Sequence, residues 1–494
     1  MMSTVRAIAS GKDIVISSAN EAGGFDGQMP VRQVRLLTGS MLLVFAAILI
    51  FVAADGLTTP MRLALMVFAT TLVCWTIFDL PETPVALGGA LALGATGTVS
   101  EEAVFAALGN DIVWLMIAAF VIASVLQASG LVERLTFRLL APFQRVSSLF
   151  WAVTLTIFAT AFIIPSTSAR AAIFMPVFLG LTAAVDRPPV TRALALIFPS
   201  VILLSAAASL TGAGAHLVAV DFIRRSGGKA PDFLDWAMLA APFGLVTSLI
   251  ACGLILRFFL GAEDRNAAFE PGSPAETQPL LAQERTLLAV TALIVLALAT
   301  SGLHGVALPF VALIGALVMA SEKVSGLPFR KALKSVEWNL LLFLAGTLVI
   351  GEALMSTGTA ALLADRAIGL LSLVGKPPAW LVILFTVILA TFAHIVVASR
   401  TARATVLIPA LALPLAGLGV NPAVLIMAAT LGSGFCQTLM VSAKPVALFG
   451  GMEPPAFTPS DLMRLAAMLL VPFIGLLTLV AVFIWPLMGV GLLI

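Results

Sequence analysis

The segments Ser166-Thr167-Ser168-Ala169-Arg170 and Ser399-Arg400-Thr401-Ala402-Arg403 are near-copies of each other, and both lie inside long apolar stretches. Each combines small hydroxyl side chains with a guanidinium and is followed by a proline, Pro176 or Pro409. An arginine at bilayer depth costs at least about 2.5–3.5 kcal/mol on insertion scales, so each needs a compensating partner. An anion held between two related segments would be such a partner. The two segments therefore predict a membrane transporter for a small anion.

The composition is that of a membrane protein. Of the 494 residues, 60% are apolar and 11% are charged, whereas soluble domains carry about 25% charged residues. The net charge of +2 gives no indication of nucleic-acid binding. The three cysteines and three histidines show no spacing typical of metal ligands, and no nucleophile–base pair is evident. Neither a metal site nor an enzyme is predicted.

The apolar pattern predicts an all-α polytopic membrane protein with about eleven transmembrane helices. Two further stretches, 147–183 and 378–417, carry the polar segments in their middle. A straight helix would bury an arginine in lipid there, so re-entrant helical hairpins with tips in a protein-lined cavity are predicted. The eleven runs long enough to span a bilayer are 36–54, 60–79, 82–99, 109–130, 191–223, 234–260, 286–303, 306–321, 338–356, 421–450 and 462–490.

An internal repeat organises these elements. The stretch around Gly130 matches the stretch around Gly358, and the stretch around Ser166 matches the stretch around Ser399. The two pairs are separated by nearly the same length of chain, and such agreement between unrelated markers indicates duplication. An odd number of spans in each copy predicts halves that are inverted in the membrane, with substrate bound near the midplane.

The repeat divides the chain into four regions. The polar, Gly- and Ser-rich N-terminal region is predicted to be disordered. Lys and Arg residues concentrate on one side if the N-terminus is cytosolic and the C-terminus lies outside the cytoplasmic membrane. The regions are a cytosolic tail (1–36), a first half (37–256, with hairpin 147–183 and broken helix 191–223), a cytosolic linker (257–285) and a second half (286–494, with hairpin 378–417 and broken helix 421–450).

Small and polar residues interrupt the helix that follows each hairpin. Half-helix N-termini attract anions, and unpaired backbone groups can bind coupling ions. The ion-coupling candidates are Thr167, Ser209, Thr211, His216, Ser442 and Lys444.

This pattern resembles the divalent anion:sodium symporter family, the SLC13-type carriers of dicarboxylates, citrate and sulfate. The resemblance rests on the two hydroxyl segments with their prolines, on Leu439–Pro445, on Phe449-Gly450 and on Trp485-Pro486-Leu487. It implies a homodimer in which each protomer has a scaffold domain and a transport domain that moves as an elevator. It also implies that the hydroxyl segments bind the anionic groups of the substrate and that the flanking broken helices bind sodium.

The sequence departs from the family pattern at the asparagine of each motif, which is Thr167 in one segment and Arg400 in the other. A threonine oxygen can coordinate sodium, so one sodium site near Ser166 and Thr167 remains open. A guanidinium has only donors and a permanent charge. We therefore hypothesise that Arg400, with Lys444, replaces the second sodium by a fixed cation. Coupling would then use a proton, exchange or one sodium.

Each candidate has a structural alternative. Arg170 and Arg403 either face the substrate or cap local carbonyls, and the hydroxyls either bind substrate or bond back to their own helix. The favoured substrates are di- or tricarboxylates; sulfate or an organosulfonate is the alternative within the family. An ion-coupled antiporter or oxyanion efflux permease of the wider superfamily is a further alternative. The predicted substrate contacts are Ser166, Thr167, Ser168, Arg170, Ser399, Arg400, Thr401 and Arg403.

Overall fold

The computed structural model describes residues 31–53, 56–268, 279–372, 377–397 and 399–493. Its secondary structure over these residues is helical, without a named strand. Within the described ranges, nine helices are long and apolar enough to cross a membrane. The chain is therefore a multi-pass membrane protein with an all-helical fold.

The described part of the first half runs from residue 31 to residue 268. Its helices are α1 (Val31–Ile48), α2 (Thr59–Thr76), α3 (Glu82–Ala95), α4 (Glu101–Ala106), α5 (Asp111–Ser129), α6 (Leu131–Leu140), α7 (Val146–Thr160), α8 (Thr167–Val185), α9 (Pro188–Ser205), α10 (Gly214–Arg225), α11 (Phe233–Phe258) and α12 (Ala262–Asn266). A π-turn extends α1 at Leu49–Ala53, and 3-10 turns lie at Ala107–Gly109, Ala206–Ala208 and Leu210–Gly212.

The described part of the second half follows the same plan. Its helices are α13 (Ala282–Ala299), α14 (Ser301–His304), α15 (Leu308–Met319), α16 (Glu322–Ser325), α17 (Phe329–Leu333), α18 (Trp338–Ser356), α19 (Thr359–Ser372), α20 (Ala379–Phe392), α21 (Arg400–Leu407), α22 (Leu413–Ala416), α23 (Pro422–Gly432), α24 (Lys444–Gly450), α25 (Pro459–Leu479) and α26 (Trp485–Leu487). A 3-10 turn lies at Ala393–Ile395, and π-turns lie at Ile408–Ala412 and Val480–Ile484.

The two halves repeat the same succession of elements. Helices α5 and α18 both have 19 residues, and each is followed by a glycine in the left-handed region, Gly130 (φ 63°) and Gly358 (φ 77°). Glycine adopts this conformation without a steric penalty and ends a helix. A short helix follows in each half, then a pair of helices joined by a non-helical tip, then a helix broken in its middle.

Two predicted spans differ from the observed helices. The run 82–99 forms a helix that ends at Ala95, because Gly97 turns the chain with φ 67°. The run 306–321 forms the 12-residue helix α15, about 18 Å long at 1.5 Å per residue and shorter than a hydrocarbon core of about 30 Å. The run 421–450, predicted as a broken helix, consists of the two short helices α23 and α24.

The ends of the predicted regions also shift. Residues 31–36, assigned to the tail, already belong to α1, while residues 1–30 lie outside the described part of the chain. Arg35 in this stretch pairs with Asp79 at 3.2 Å. The predicted linker 257–285 contains the end of α11, helix α12 and the start of α13, and its residues 269–278 are not described.

The described residues form two large clusters of buried apolar side chains. One is built around α5, α10, α11, α20, α23 and α25, and the other around α7, α8, α9 and α24. Helix α18 packs along α3, where Gly346 brings the two backbones together: a Cβ at this position would lie 2.8 Å from the carbonyl carbon and oxygen of Ala86. The non-helical tip of the helix pair and the break of the following helix, from both halves of the chain, meet beside this α3–α18 pair.

Candidate functional site

A cavity of about 380 Å³ lies where five helices begin, within the range of about 300–1,000 Å³ found for small-molecule sites. Its lining includes the first residues of α3, α8, α21 and α24, namely Glu82, Thr167, Arg400 and Lys444, together with Glu337 just before α18. Helix N-termini carry unpaired N–H groups and a partial positive charge. Their convergence makes this cavity suited to an anion.

The two serines that open the repeated segments have the same structural role. The Oγ atoms of Ser166 and Ser399 each accept a hydrogen bond of 3.3 Å, from the N–H of Ala169 and Ala402 respectively. Each serine thus caps the helix that follows, α8 or α21, as small hydroxyl residues commonly do. Of the predicted substrate contacts, the structure places Thr167, Ser168, Ser399, Arg400 and Thr401 on the cavity wall.

Two cations line this cavity, Arg400 and Lys444, and of the two Lys444 is paired with Glu337. The side chain of Arg400 is half-buried and also borders an adjoining cavity of about 10 Å³, the size of a single water. Among the residues that the structure describes, its guanidinium has no hydrogen-bond or ion-pair partner. A half-buried cation without a counter-charge is unfavourable in a chain of this kind, so this position favours an anionic ligand.

Arg170 is fully buried and points away from the cavity. Its guanidinium donates to the carbonyl oxygens of Ile157 (2.5 Å) and Ile202 (3.1 Å) and to the hydroxyls of Ser205 (2.7 Å) and Thr160 (3.3 Å). These groups lie in the last turns of α7 and α9, where helix carbonyls lose their intrahelical partners. Arg170 therefore caps two helix ends at once.

Arg403 does the equivalent in the second half. Its guanidinium donates to the carbonyl oxygen of Val397 at 2.7 Å and to Sγ of Cys436, which lies in the break after α23. The separation of Arg170 from Arg403 along the chain nearly equals that of their partners Ser205 and Cys436, so the two contacts occupy equivalent places in the repeat. Each arginine thus ties the tip of its own half to the broken helix that follows.

The sequence predicts that Arg170 and Arg403 contact the substrate, and this role stays a prediction. In the structure neither lines the cavity, and both are nearly inaccessible. The physical reason is that the broken helices leave carbonyls without partners close by, and a guanidinium satisfies several of them together. The alternative of local capping describes their contacts.

The first broken helix is held together by its own polar groups. The Oγ atom of Ser209 lies 3.1 Å from Oγ1 of Thr211, and Nδ1 of His216 lies 2.8 Å from the carbonyl oxygen of Ser209. The ring of His216 stacks on Trp236, with centroids 4.9 Å apart. Ser209 and Thr211 lie in the break and His216 in the first turn of α10, where it borders the small cavity beside Arg400.

The second broken helix resumes with the same backbone shape as the first. Ala213 before α10 has φ −156° and ψ 147°, and Ala443 before α24 has φ −157° and ψ 143°. Gly214 thus corresponds to Lys444. Ser442 donates to the carbonyl oxygen of Cys436 at 2.7 Å and lines the cavity with Lys444. A coupling role for these residues stays a prediction.

Sequence reasoning missed two carboxylates on the cavity wall. Glu82 interacts with Ser399, and Glu337 accepts a hydrogen bond from Ser166 at 3.4 Å and pairs with Lys444 at 3.5 Å. Thr83 joins the same wall by donating to the carbonyl oxygen of Asn339 at 2.8 Å. The available signal was an acidic residue at the start of the apolar runs 82–99 and 338–356, but stabilisation by the helix dipole alone accounts for such residues.

A cluster of the side chains that usually hold a metal ion is not seen in the described part of the chain. Among the described residues, no group of three or more His, Cys, Asp or Glu side chains is arranged to hold a metal ion. The hydroxyls of Ser166 and Thr167 lie at the first tip, at or beside the cavity, and a sodium ion there stays a prediction.

The chain is similar to known transporters of organic anions. The sequence profile of the citrate transporter family, CitMHS, matches residues 65–432, more than half of the chain. The chain is 28% identical to the chloroplastic dicarboxylate transporter 1 of Spinacia oleracea over 62% of its own length and 55% of that protein. It is 25% identical to the citrate/succinate antiporter of Escherichia coli over 78% of its own length and 80% of that protein.

One further relative and one solved structure extend this comparison. The chain is 24% identical to a membrane protein of Cupriavidus necator, of which the match spans 66%. Its structure is similar to the crystal structure of the Alcanivorax borkumensis YdaH transporter, with a TM-score of 0.58 and 17% sequence identity over 87% of this chain and 98% of that one. At this level of identity the similarity concerns the fold.

Proposed function

Because this chain belongs to the citrate transporter family, we propose that it is a secondary active transporter of small divalent anions, with di- or tricarboxylates as its substrates. One observation carries the proposal: the half-buried guanidinium of Arg400 faces a cavity and has no partner among the described residues. Carboxylates are the bidentate partners that a guanidinium fits best.

The remaining cavity wall supports a substrate with two anionic ends. Hydroxyls of Thr167 and Ser168 come from the first half of the chain, and Arg400, Thr401 and Lys444 come from the second. Hydrogen bonds to charged groups contribute about 1.5–3 kcal/mol each. Two or three such bonds at each end are sufficient to select a dianion over a monoanion.

The coupling mechanism follows from a difference between the two halves. Where the first half has Thr167 and Gly214, the second half has Arg400 and Lys444. We propose that these fixed cations take the place of one coupling sodium ion. Transport would then be driven by exchange or by at most one sodium, bound near Ser166 and Thr167.

Relatives of this chain include both an exchanger and a sodium-coupled transporter, and each supports one of the two proposed coupling modes. One relative is a citrate/succinate antiporter, and another, matched over 24% of this chain, is a Na(+)/dicarboxylate cotransporter of Homo sapiens. Because Arg400 is a permanent cation, we favour exchange. The proposal includes a location in the cytoplasmic membrane with the N-terminus in the cytosol, a homodimer, and an elevator movement of the segment that carries the cavity.

Uptake of labelled succinate into proteoliposomes tests this proposal. Three conditions are compared: an inward sodium gradient, no sodium, and liposomes preloaded with unlabelled succinate. Uptake that requires preloading, and not sodium, supports exchange. Uptake driven by several sodium ions would refute the fixed-cation proposal for Arg400.

Competition identifies the substrate class. Excess citrate, malate, sulfate and an organosulfonate are each added during succinate exchange, with protein-free liposomes as the control. Inhibition by carboxylates supports the proposed substrate class. Absence of succinate transport together with transport of labelled sulfate would assign the cavity to sulfate or organosulfonates instead.

A further inference from the structure

A carboxylate of the protein contacts one donor on the wall of the anion cavity and a second donor beside it. Glu337 precedes the first turn of α18, and its side chain is one-third exposed. One of its oxygens accepts a hydrogen bond of 3.4 Å from Oγ of Ser166, and the other lies 3.5 Å from Nζ of Lys444. A hydroxyl and an ammonium are the donors that an incoming substrate carboxylate would use.

These contacts join three separate parts of the chain. Ser166 precedes α8, Lys444 begins α24, and Glu337 directly precedes α18, which packs along α3. Any rearrangement that moves the two tips and the broken helices relative to α18 has to break both contacts. The Glu337 carboxylate therefore links the first tip and the second broken helix to the start of α18 in the arrangement seen here.

The contacts are also weak enough to be broken by a ligand. The side chain of Lys444 is 75% exposed, and ion pairs of such exposed groups are among the weakest in proteins. Both distances are at the long end of the range for polar contacts. A substrate carboxylate that engages Arg400 as well can displace Glu337 from Ser166 and Lys444.

We propose that Glu337 is a coupling residue that occupies the place of a substrate carboxylate in the empty transporter and slows reorientation of the empty form. The inference rests on the proposed function, since it assumes a carboxylate substrate in this cavity. Its consequence is that exchange is faster than net transport: substrate releases the contact on each passage, whereas the empty transporter has to break it unaided.

A comparison of Glu82 with Glu337 distinguishes the proposed coupling role from a general effect of negative charge in the cavity. Glu82 lines the same cavity as Glu337 and interacts with Ser399 of the second tip. If the two acids act only through their negative charge, removing either one strengthens binding of a dianion to a similar degree. If Glu337 holds the empty form, its removal has a second effect that removal of Glu82 lacks.

The experiment compares Glu337→Gln, Glu82→Gln and the exposed Glu322→Gln in proteoliposomes. Succinate exchange is measured in preloaded liposomes and net efflux in liposomes without external substrate. For Glu337→Gln we expect a lower KM in exchange and a ratio of net to exchange flux that rises about twofold to fivefold, the size expected for loss of one exposed ion pair. Glu82→Gln should lower the KM alone, Glu322→Gln should change neither, and Glu337→Asp should retain part of the wild-type ratio.

Two outcomes would overturn different claims. Wild-type exchange with an unchanged flux ratio in Glu337→Gln would refute the coupling role and leave the proposed function intact. Wild-type protein that transports no carboxylate would refute the proposed function, and the coupling role with it. If Glu337→Gln does not assemble, Lys444→Gln breaks the same ion pair from the other side; it should raise both the flux ratio and the KM, and an unchanged ratio would again refute the role.

Discussion

The Nη2 atom of Arg170 donates a hydrogen bond of 2.7 Å to Oγ of Ser205 and so fastens the first tip to the end of α9. The same guanidinium serves the carbonyls of Ile157 and Ile202. It is thus a buried charge whose partners are almost all helix-end groups. Such an arginine is expected to govern stability more than substrate affinity.

We predict that Arg170→Met destabilises the protein by about 3 kcal/mol or more, because several hydrogen bonds to a charged group are lost and buried carbonyls stay without partners. The measurement is the thermal unfolding midpoint in detergent. Arg170→Lys should recover only part of the loss, because the lysine ammonium lacks the planar fork with which the guanidinium reaches all these acceptors. A wild-type midpoint for both variants would contradict this role.

For Arg400→Gln we expect the opposite result. Losing the guanidinium removes about 1.5–3 kcal/mol of substrate binding, which raises the KM for succinate exchange roughly 10- to 100-fold, while the unfolding midpoint changes little. The matched variant is Arg403→Gln, one turn further along the same helix, which should lower the midpoint. Equal effects of both substitutions on KM and on stability would disprove the distinction between a cavity arginine and a clamping arginine.

The close contact between α3 and α18 leaves no space for a larger residue at Gly346. A methyl group at Gly346 would lie 2.8 Å from backbone atoms of Ala86, so Gly346→Ala should force the helices apart and cost about 1–3 kcal/mol. Gly88→Ala, on α3, is the control, because its added Cβ meets nothing within 4 Å. Thermal unfolding of the two variants should differ; identical midpoints would mean that the helices adjust freely.

A charged group between α10 and α18 provides a fourth prediction. Arg225 pairs with Asp221 at 2.6 Å and with Glu352, and the side chain of Asp221 is 7% exposed. Arg225→Met would leave these carboxylates unpaired and should destabilise the protein by about 3 kcal/mol. The nearby Lys229, 90% exposed and 3.7 Å from Asp235, is the control: Lys229→Met should cost less than about 1 kcal/mol.

Local sequence patterns predicted much of this arrangement. The repeated segments at Ser166 and Ser399 indicated equivalent elements in the two halves, and the structure shows that each serine caps the helix that follows it. The two glycine markers likewise predicted equivalent helices, because a left-handed glycine ends a helix through its own backbone.

Long-range contacts explain what the sequence could not predict. Arg170 and Arg403 follow their serines by one turn, but the direction of each side chain depends on carbonyls that are free at the ends of α7 and α9 or in the tip before α21. Glu337 reaches the cavity because α18 begins beside the tip at Ser166, which lies far earlier in the chain. Neither relation is encoded in the spacing of neighbouring residues.

The backbone has nearly the same φ and ψ at Ala213 and Ala443, as a repeated segment would, yet the cavity wall has Arg400 and Lys444 where the first repeat has Thr167 and Gly214. On the proposed function, the two ends of a bound dianion would therefore not be equivalent. One end would meet Arg400 and Lys444, and the other would meet the hydroxyls of Thr167 and Ser168. We expect a dianion with chemically different ends, such as malate, to bind in one orientation, although the site is built from two copies of one repeated segment.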